Sequence, residues 1–313
     1  MKKVEVTVLT GFLFLALLLA GGRVAEAAGP RDSTPRTAVI SAFPPEMAGL
    51  QAALRGGKKY DVDGVIFTTG TLEGKPVVLL LAGISMVNAA MATQLALDHF
   101  TVERIVVSGI AGGIDPTLTI GDVVVPANWG EYLETVFARQ TESGSYQLPS
   151  FATHPFANFG MIFPEPEQIA RGHEPPESRF WFAADPKLLA LAGKVAQTTV
   201  LKSCTQKDKC LEEKPRILVG GRGVSGQAFV DNKAFRDYVW KTFHAQALDM
   251  ESAAIAHVAT MNGTPFIVFR SLSDLAGGGP GENEIGTFFQ LASDNAASVV
   301  LSFLKAIPED HKP

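Results

Sequence analysis

The chain has 313 residues, 46% of them hydrophobic and 19% charged, which is enough to build one large domain around a substantial core. Its formal net charge is -5 with a sequence pI near 5.7, and its Lys and Arg residues stand singly or in pairs, a distribution that argues against nucleic acid as a partner. Beyond the N-terminal region no stretch is long and apolar enough to span a bilayer.

In chain order, residues 1–28 read as a signal peptide. Lys2 and Lys3 precede an apolar stretch from Val8 to Ala20, and Ala25-Glu26-Ala27 supplies a small-residue cleavage pattern. A membrane anchor is the competing reading, but the apolar stretch falls short of the roughly 20 residues a spanning helix needs. No cysteine follows it to carry a lipid. The mature protein is therefore expected to be soluble, secreted to a periplasm or the cell exterior, with no stable membrane anchor.

Short apolar runs rich in β-branched residues then alternate with helical patterns. Strands are expected at 38–42, 64–70, 76–82, 104–109, 121–126, 216–220 and 265–271, and helices at 87–100, 185–198, 231–243, 251–261 and 288–307. Several strands are apolar throughout, as strands covered on both faces are. The expected class is α/β: a single-domain, three-layer α/β/α sandwich with a central mixed sheet, spanning 37–307. From about Tyr132 to Arg179 the rhythm breaks into a proline- and aromatic-rich excursion, which either caps a site or packs as an ordered flap. Cys204 and Cys210 follow in "CTQKDKC"; in an oxidising compartment this pair reads as a disulfide closing a surface loop. A metal or redox pair is the rival, but no His or third Cys stands near and the spacing is not Cys-x-x-Cys.

Four stretches carry chemistry. In "VVSGIAGGIDPTLTIGDVVVP" a buried strand runs into Gly109, Gly112 and Gly113, where a backbone without side chains can approach a ligand; a tight turn at a sheet end would look the same. In "AVISAFPPEMAGL" Glu46 appears as a helix pattern starts, a position where a carboxylate is commonly a cap. "PFIVFRSLSDLAGGG" ends a buried strand in Arg270, Ser273 and Asp274, at the strand edge where open α/β sheets place ligands. "ALDMESAAIAHVA" opens an alanine-rich helix with Asp249-Met250-Glu251. Converging carboxylates suit acid–base chemistry, because burial and mutual repulsion raise the pKa of one of them. No histidine lies in the glycine, Glu46 or Asp274 stretches, so a serine-hydrolase triad lacks its base there.

Together with "GISMVNAAMAT" and "SGQAFVDN", these stretches and their order resemble the nucleoside phosphorylase superfamily, most of all its methylthioadenosine/S-adenosylhomocysteine nucleosidases. The resemblance runs from about Thr37 to Leu304. The proline-rich excursion and the cysteine loop resemble the secreted branch that includes plant bark storage proteins. By this resemblance Asp274 protonates the leaving purine, Glu46 activates the attacking water, Glu251 grips the ribose hydroxyls and Met250 packs on the sugar. Phe229 would stack on the base, the Val230 backbone would read its edge, and Ile84 would line the sugar side. Ile110, Gly112, Ser273 and Arg270 complete the expected substrate contacts. Asp249 caps the helix or pairs with Arg270; alone, Phe229 reads more often as core than as a ligand contact.

Ile110 stands where many such nucleosidases carry serine, and "DME" replaces their commoner "EME". The resemblance implies cleavage of a purine N-glycosidic bond by water, with no metal or organic cofactor and a homodimer or larger homo-oligomer. Two alternatives stay open: phosphate-dependent cleavage, which would make phosphate a partner, and a secreted nucleoside-binding or storage protein with little turnover.

Overall fold

The computed structural model describes residues 30–170, 175–206 and 208–308; the expected signal peptide lies outside them. In chain order the elements are β1 (Asp32–Ser41), α1 (Pro44–Ala53), β2 (Arg55–Val62), β3 (Val65–Leu72), β4 (Lys75–Leu81), α2 (Met86–His99), β5 (Phe100–Gly113), β6 (Val123–Val125) and β7 (Asn128–Glu131). Short strands follow: β8 (Thr135–Phe137), β9 (Arg139–Gln140), β10 (Tyr146–Gln147), β11 (Ile162–Pro164), β12 (Glu167–Ile169), β13 (Glu177–Arg179) and β14 (Trp181–Ala183). The chain ends with α3 (Pro186–Ala196), β15 (Ile217–Val219), β16 (Arg222–Ser225), α4 (Lys233–Phe243), β17 (Ala247–Asp249), α5 (Ser252–Met261), β18 (Phe266–Asp274) and α6 (Ile285–Ala306).

One mixed sheet organises the molecule. β1 lies parallel between β4 and β5, with Ile40 opposite Leu80 on one side and Val107 on the other. β18 runs parallel to β5 on its far side, pairing Val268 with Val107. The 14-residue length of β5 lets it do two jobs: its middle fills the sheet centre, and its glycine end pairs antiparallel with β17. That brings Leu248 opposite Gly112 and turns the residues after β17 back toward the ends of β1 and β18.

The period of two along these strands sorts their side chains between two layers. Ile40, Leu80, Val107 and Val268 face α2 and α5, whose alanines Ala89, Ala92, Ala253 and Ala256 permit close packing. Val39, Leu79, Val106 and Ile267 face the opposite way, against Met47 and Leu50 of α1, Val195 of α3 and Val300 and Phe303 of α6. The architecture is the expected three-layer α/β/α arrangement.

Boundaries differ where local chemistry outweighs the pattern. α2 stops at His99 because Phe100 is extended and opens β5, with its ring packed edge-on to Tyr60 at 5.5 Å. β2 was not expected: "RGGKKYDV" is polar and almost wholly exposed, as an edge strand guarded by lysines can be. The excursion forms three two-stranded antiparallel sheets, β8 with β11, β9 with β10 and β12 with β13. It packs against α4 through Phe156, 5.1 Å from the Phe243 ring, and through the Tyr238 hydroxyl, which donates to the Ala157 carbonyl at 2.8 Å. Cys204 and Cys210 form the disulfide. The loop it closes leads into Leu211, which packs beside Ile120, Phe288 and Leu291.

Candidate active site

A cavity of about 290 Å³ opens where β1, β5, β17 and β18 end. Glu46, Ile84, Ile110, Gly112, Phe229, Val230, Met250, Glu251, Ser273 and Asp274 all line it, with Asp249, Phe43 and Ile285 among the others. None of the lining residues is Lys or Arg.

Each acid is delivered by a local device. Pro44 and Pro45 occupy the first positions of α1, where a missing N–H costs nothing, and fix its start. Glu46 then folds back to accept from the Ala42 N–H at 2.7 Å and, across the sheet, from the Ile110 N–H at 2.7 Å. The capping role suggested by its position and a site role therefore coexist. Gly109 is required here, because a Cβ on it would collide with the Arg270 guanidinium and the Glu46 carboxylate. Glu251 precedes α5 and accepts from the Ser85 N–H at 2.8 Å. Ser85 holds φ at 83°, a backbone state costing an L-residue about 1–3 kcal/mol, and so aims that N–H into the site. Asp274 closes β18; its Oδ1 accepts from the Ala276 N–H at 2.8 Å and its Oδ2 from the Ser273 hydroxyl at 2.9 Å.

Arg270 corrects the sequence reading. Expected among the substrate contacts, it is 1% exposed and lies behind the cavity wall. Its guanidinium is spent on protein carboxylates: Asp249 at 2.7 Å, Glu251 at 3.2 Å and Glu46 at 3.3 Å. A buried charge must be paired, and three acids around one arginine pair it more than fully. Asp249 does both things left open for it. Besides Arg270 it accepts from the Ser225 and Ser252 hydroxyls and from the backbone N–H groups of Glu251 and Ser252 at the start of α5.

The electrostatics separate the acids. Burial raises the Glu46 carboxyl, while Arg270 and the Ile110 and Ala42 N–H groups oppose that rise. Burial pushes Glu251 up to about 7, with Arg270 again opposing. Asp274 is raised by burial too, but the groups that oppose it, Ala276, Ser273 and Asn283, are neutral donors. Both carboxyls are thus pushed toward the protonated form, but only Glu46 has a cation beside it to favour its ionised form, the kind of asymmetry that separates a base from an acid.

Ile110, the apparent loss of a polar group, contributes through its backbone: its N–H holds Glu46 and its carbonyl accepts from Arg270 at 3.2 Å. Gly112 lets the chain pass close to the acid, since a Cβ there would lie 3.3 Å from Asp274 Oδ1. Phe229 is 57% exposed and Ile84 51%, so neither is core; both present apolar surface at the cavity mouth. Sequence reasoning missed Ser85, Asn283 and Ile285. Asn283 stands just before α6, where an Asn signals a cap, but nothing in the sequence marks its approach to Asp274.

Outside the cavity, Glu131, Glu167 and His257 bring ligand atoms within 4.8 Å of one another. None of the three lines the cavity, so that group takes no part in its chemistry.

A family model, the Phosphorylase superfamily, matches residues 36–305. The chain is 30% identical over 272 residues to a 5'-methylthioadenosine/S-adenosylhomocysteine nucleosidase of Oceanobacillus iheyensis, covering 86% of this chain and 98% of that one. It is 27% identical over 273 residues to bark storage protein B of Populus deltoides, covering 83% and 84%. A solved 5'-methylthioadenosine/S-adenosylhomocysteine nucleosidase of Neisseria meningitidis, in complex with methylthio-immucillin-A, matches with a TM-score of 0.66 and 26% identity over 87% of this chain and 99% of that one. With so much of the chain covered by that family, and Glu46, Glu251 and Asp274 gathered at one strand edge, the protein belongs to the phosphorylase superfamily.

Proposed function

We propose that the protein is a purine nucleosidase that cleaves the N-glycosidic bond of a methylthioadenosine-, S-adenosylhomocysteine- or adenosine-like nucleoside with water. One observation carries this reading: three carboxylates meet around a single cavity that no Lys or Arg lines, while Arg270 behind its wall is engaged by acids. Asp274 donates its proton to N7 of the base, and the C1'–N9 bond breaks with its electron pair passing to the purine. Water then bonds to C1' and gives its proton to Glu46, so atoms and charge balance. Glu251 accepts from the ribose hydroxyls, which offsets the cost of burying it. Phe229 covers the base and Met250 packs on the sugar.

A phosphate nucleophile would need cationic or amide donors facing the cavity. Here it would meet no Lys or Arg, and Glu46 would repel it. The likeness to the poplar storage protein, with the proline-rich excursion and the disulfide loop, supports a second reading, a nucleoside-binding protein with little turnover.

The protein pairs with a second copy of itself. Ile84 at the cavity mouth and Val87 and Met91 on α2 form an exposed apolar surface, which a partner subunit would cover while closing the cavity. It acts outside the cytoplasm: the leader pattern of residues 1–28 and the Cys204–Cys210 disulfide support secretion.

The test is incubation of purified mature protein with methylthioadenosine, S-adenosylhomocysteine and adenosine, with and without phosphate, following free base by chromatography. Base without phosphate is the expected result. Base only with phosphate would make it a phosphorylase, and binding without base would make it a binding protein. Asp274→Asn should lower base release by a factor of about 100 or more while nucleoside binding persists; undiminished turnover removes the acid role.

A further inference from the structure

Asn283 is held in one orientation by three contacts. Its side-chain oxygen accepts from the Ile285 N–H at 2.9 Å, at the start of α6. Its amide nitrogen therefore points the other way, toward Asp231 Oδ1 at 3.0 Å and Asp274 Oδ1 at 3.4 Å. A flipped amide would set its oxygen against two carboxylates and lose the cap, so the assignment follows from chemistry. Asp231 directly follows Phe229 and Val230 at the cavity wall. One amide thus joins that wall to the catalytic acid.

The two oxygens of Asp274 are served differently. Oδ1 accepts from the Ala276 N–H and the Asn283 amide, and neither donor can turn into an acceptor. Oδ2 accepts from the Ser273 hydroxyl, which has a second acceptor in reach, the Ala111 carbonyl at 3.4 Å. A hydroxyl can rotate away and accept in turn. Oδ2 is consequently the oxygen that can carry a proton without losing a partner.

We propose that Asn283 and Asp231 are positioning residues for Asp274: Asn283 saturates Oδ1 and so directs the proton to Oδ2, and Asp231 supplies the negative charge that keeps the proton there. This deepens the nucleosidase reading and rests on it for the role of Asp274 as acid. The pair acts in opposite senses, since the Asn283 hydrogen bond favours the ionised acid and the Asp231 charge favours the protonated one. Among the described residues, the other charged groups around Asp274 are Glu46, Asp249 and Glu251 across the cavity, with Arg270 between them, Arg236 on α4 beside Gly278, and Glu284 next to Asn283.

The test follows the Asp274 carboxyl carbon by NMR across pH, assigned with Asp274→Asn, in the wild type, Asp231→Asn and Asn283→Asp. The aspartate at 283 can still cap Ile285, so it spares the start of α6. Asp231→Asn should lower the Asp274 pKa by about half a unit at low salt, the Asp231 side being exposed, and by less at high salt. Asn283→Asp, which replaces a donor by a like charge, should raise it by about one unit or more. The alkaline limb of kcat should move with each shift, while KM changes little. An Asp274 titration unmoved in both variants, or moved in the same direction by both, overturns the proposal. Shifts of the expected sign in a protein that releases no base would sink the nucleosidase reading and leave the positioning pair standing.

Discussion

Two groups of acids meet α5, one at its start and one along its length, and they solve the same problem differently. Around the cavity, Glu46, Asp249 and Glu251 converge on Arg270. Outside it, Glu131 and Glu167 meet His257, whose ring stacks on Phe182 at 4.6 Å, and Glu134 lies near. The cavity group is the more deeply buried, and burial raises Glu46 and Glu251 against the opposing charge of Arg270, whereas at half-buried Glu167 burial and the charges of Glu131 and Glu134 all push the same way. An arginine in the middle offsets part of the burial penalty. Without one, neighbouring carboxylates raise each other, and the cheapest remedy is to hold a proton.

Removing that arginine is the harshest test of the contrast. Arg270→Met should cost about 3–5 kcal/mol in chemical denaturation, because it strands three buried carboxylates with no counter-charge. If Arg270→Met alone is tolerated, the acids are already protonated and the comparison collapses. Arg270→Met combined with Glu251→Gln and Asp249→Asn should recover part of the loss, since the strain is electrostatic and not a matter of volume. A smaller effect comes from Glu251 itself. Its ionised form is the acceptor for a ribose diol, so nucleoside affinity should weaken as pH falls through about 7. Glu251→Gln should bind about tenfold more weakly at pH 8, by calorimetry, and show no such pH dependence; a pH-dependent Glu251→Gln would place the titration elsewhere.

This contrast also divides what the sequence discloses from what it hides. Glu46, Glu251 and Asp274 sit inside motifs whose order is readable, and the alternation of apolar strands with helices foretells the three layers. The role of Arg270 was readable only in part: its pairing with Asp249 was among the expectations, but a residue in a central strand does not show that Glu46 and Glu251 claim it too. "DME" suggested either a cap or an ion pair, and only the sheet register, with Leu248 opposite Gly112, sets Asp249 where it does both. Ile110 looked like a lost contact because a sequence records side chains, while the group that matters is its N–H. Asn283 and the Glu131–Glu167–His257 group were invisible for a related reason: their partners come from loops and hairpins with no periodicity to place them.

The smallest effect belongs to the group without an arginine, and its sign is fixed by linkage. The Glu167 carboxyl, ordinarily at 4.5, is pushed up to about 8 in the folded chain, so folding favours its protonated form. Its contribution to stability is complete below about 4.5 and is lost as pH rises through about 8. Glu167→Gln keeps the shape and removes the titration. Its melting temperature should match that of the wild type near pH 4 and exceed it by about 2 °C at pH 9, a modest gain because the site is only half-buried. Glu251→Gln in the same assay should diverge from the wild type between about pH 4.5 and 7 and keep a constant offset above that, since its own loss of stability is complete by then. Parallel curves for Glu167→Gln and the wild type from pH 4 to 9 would mean that His257 compensates Glu131 and Glu167 as fully as Arg270 compensates the cavity acids, and the distinction between the two groups would be one of burial alone.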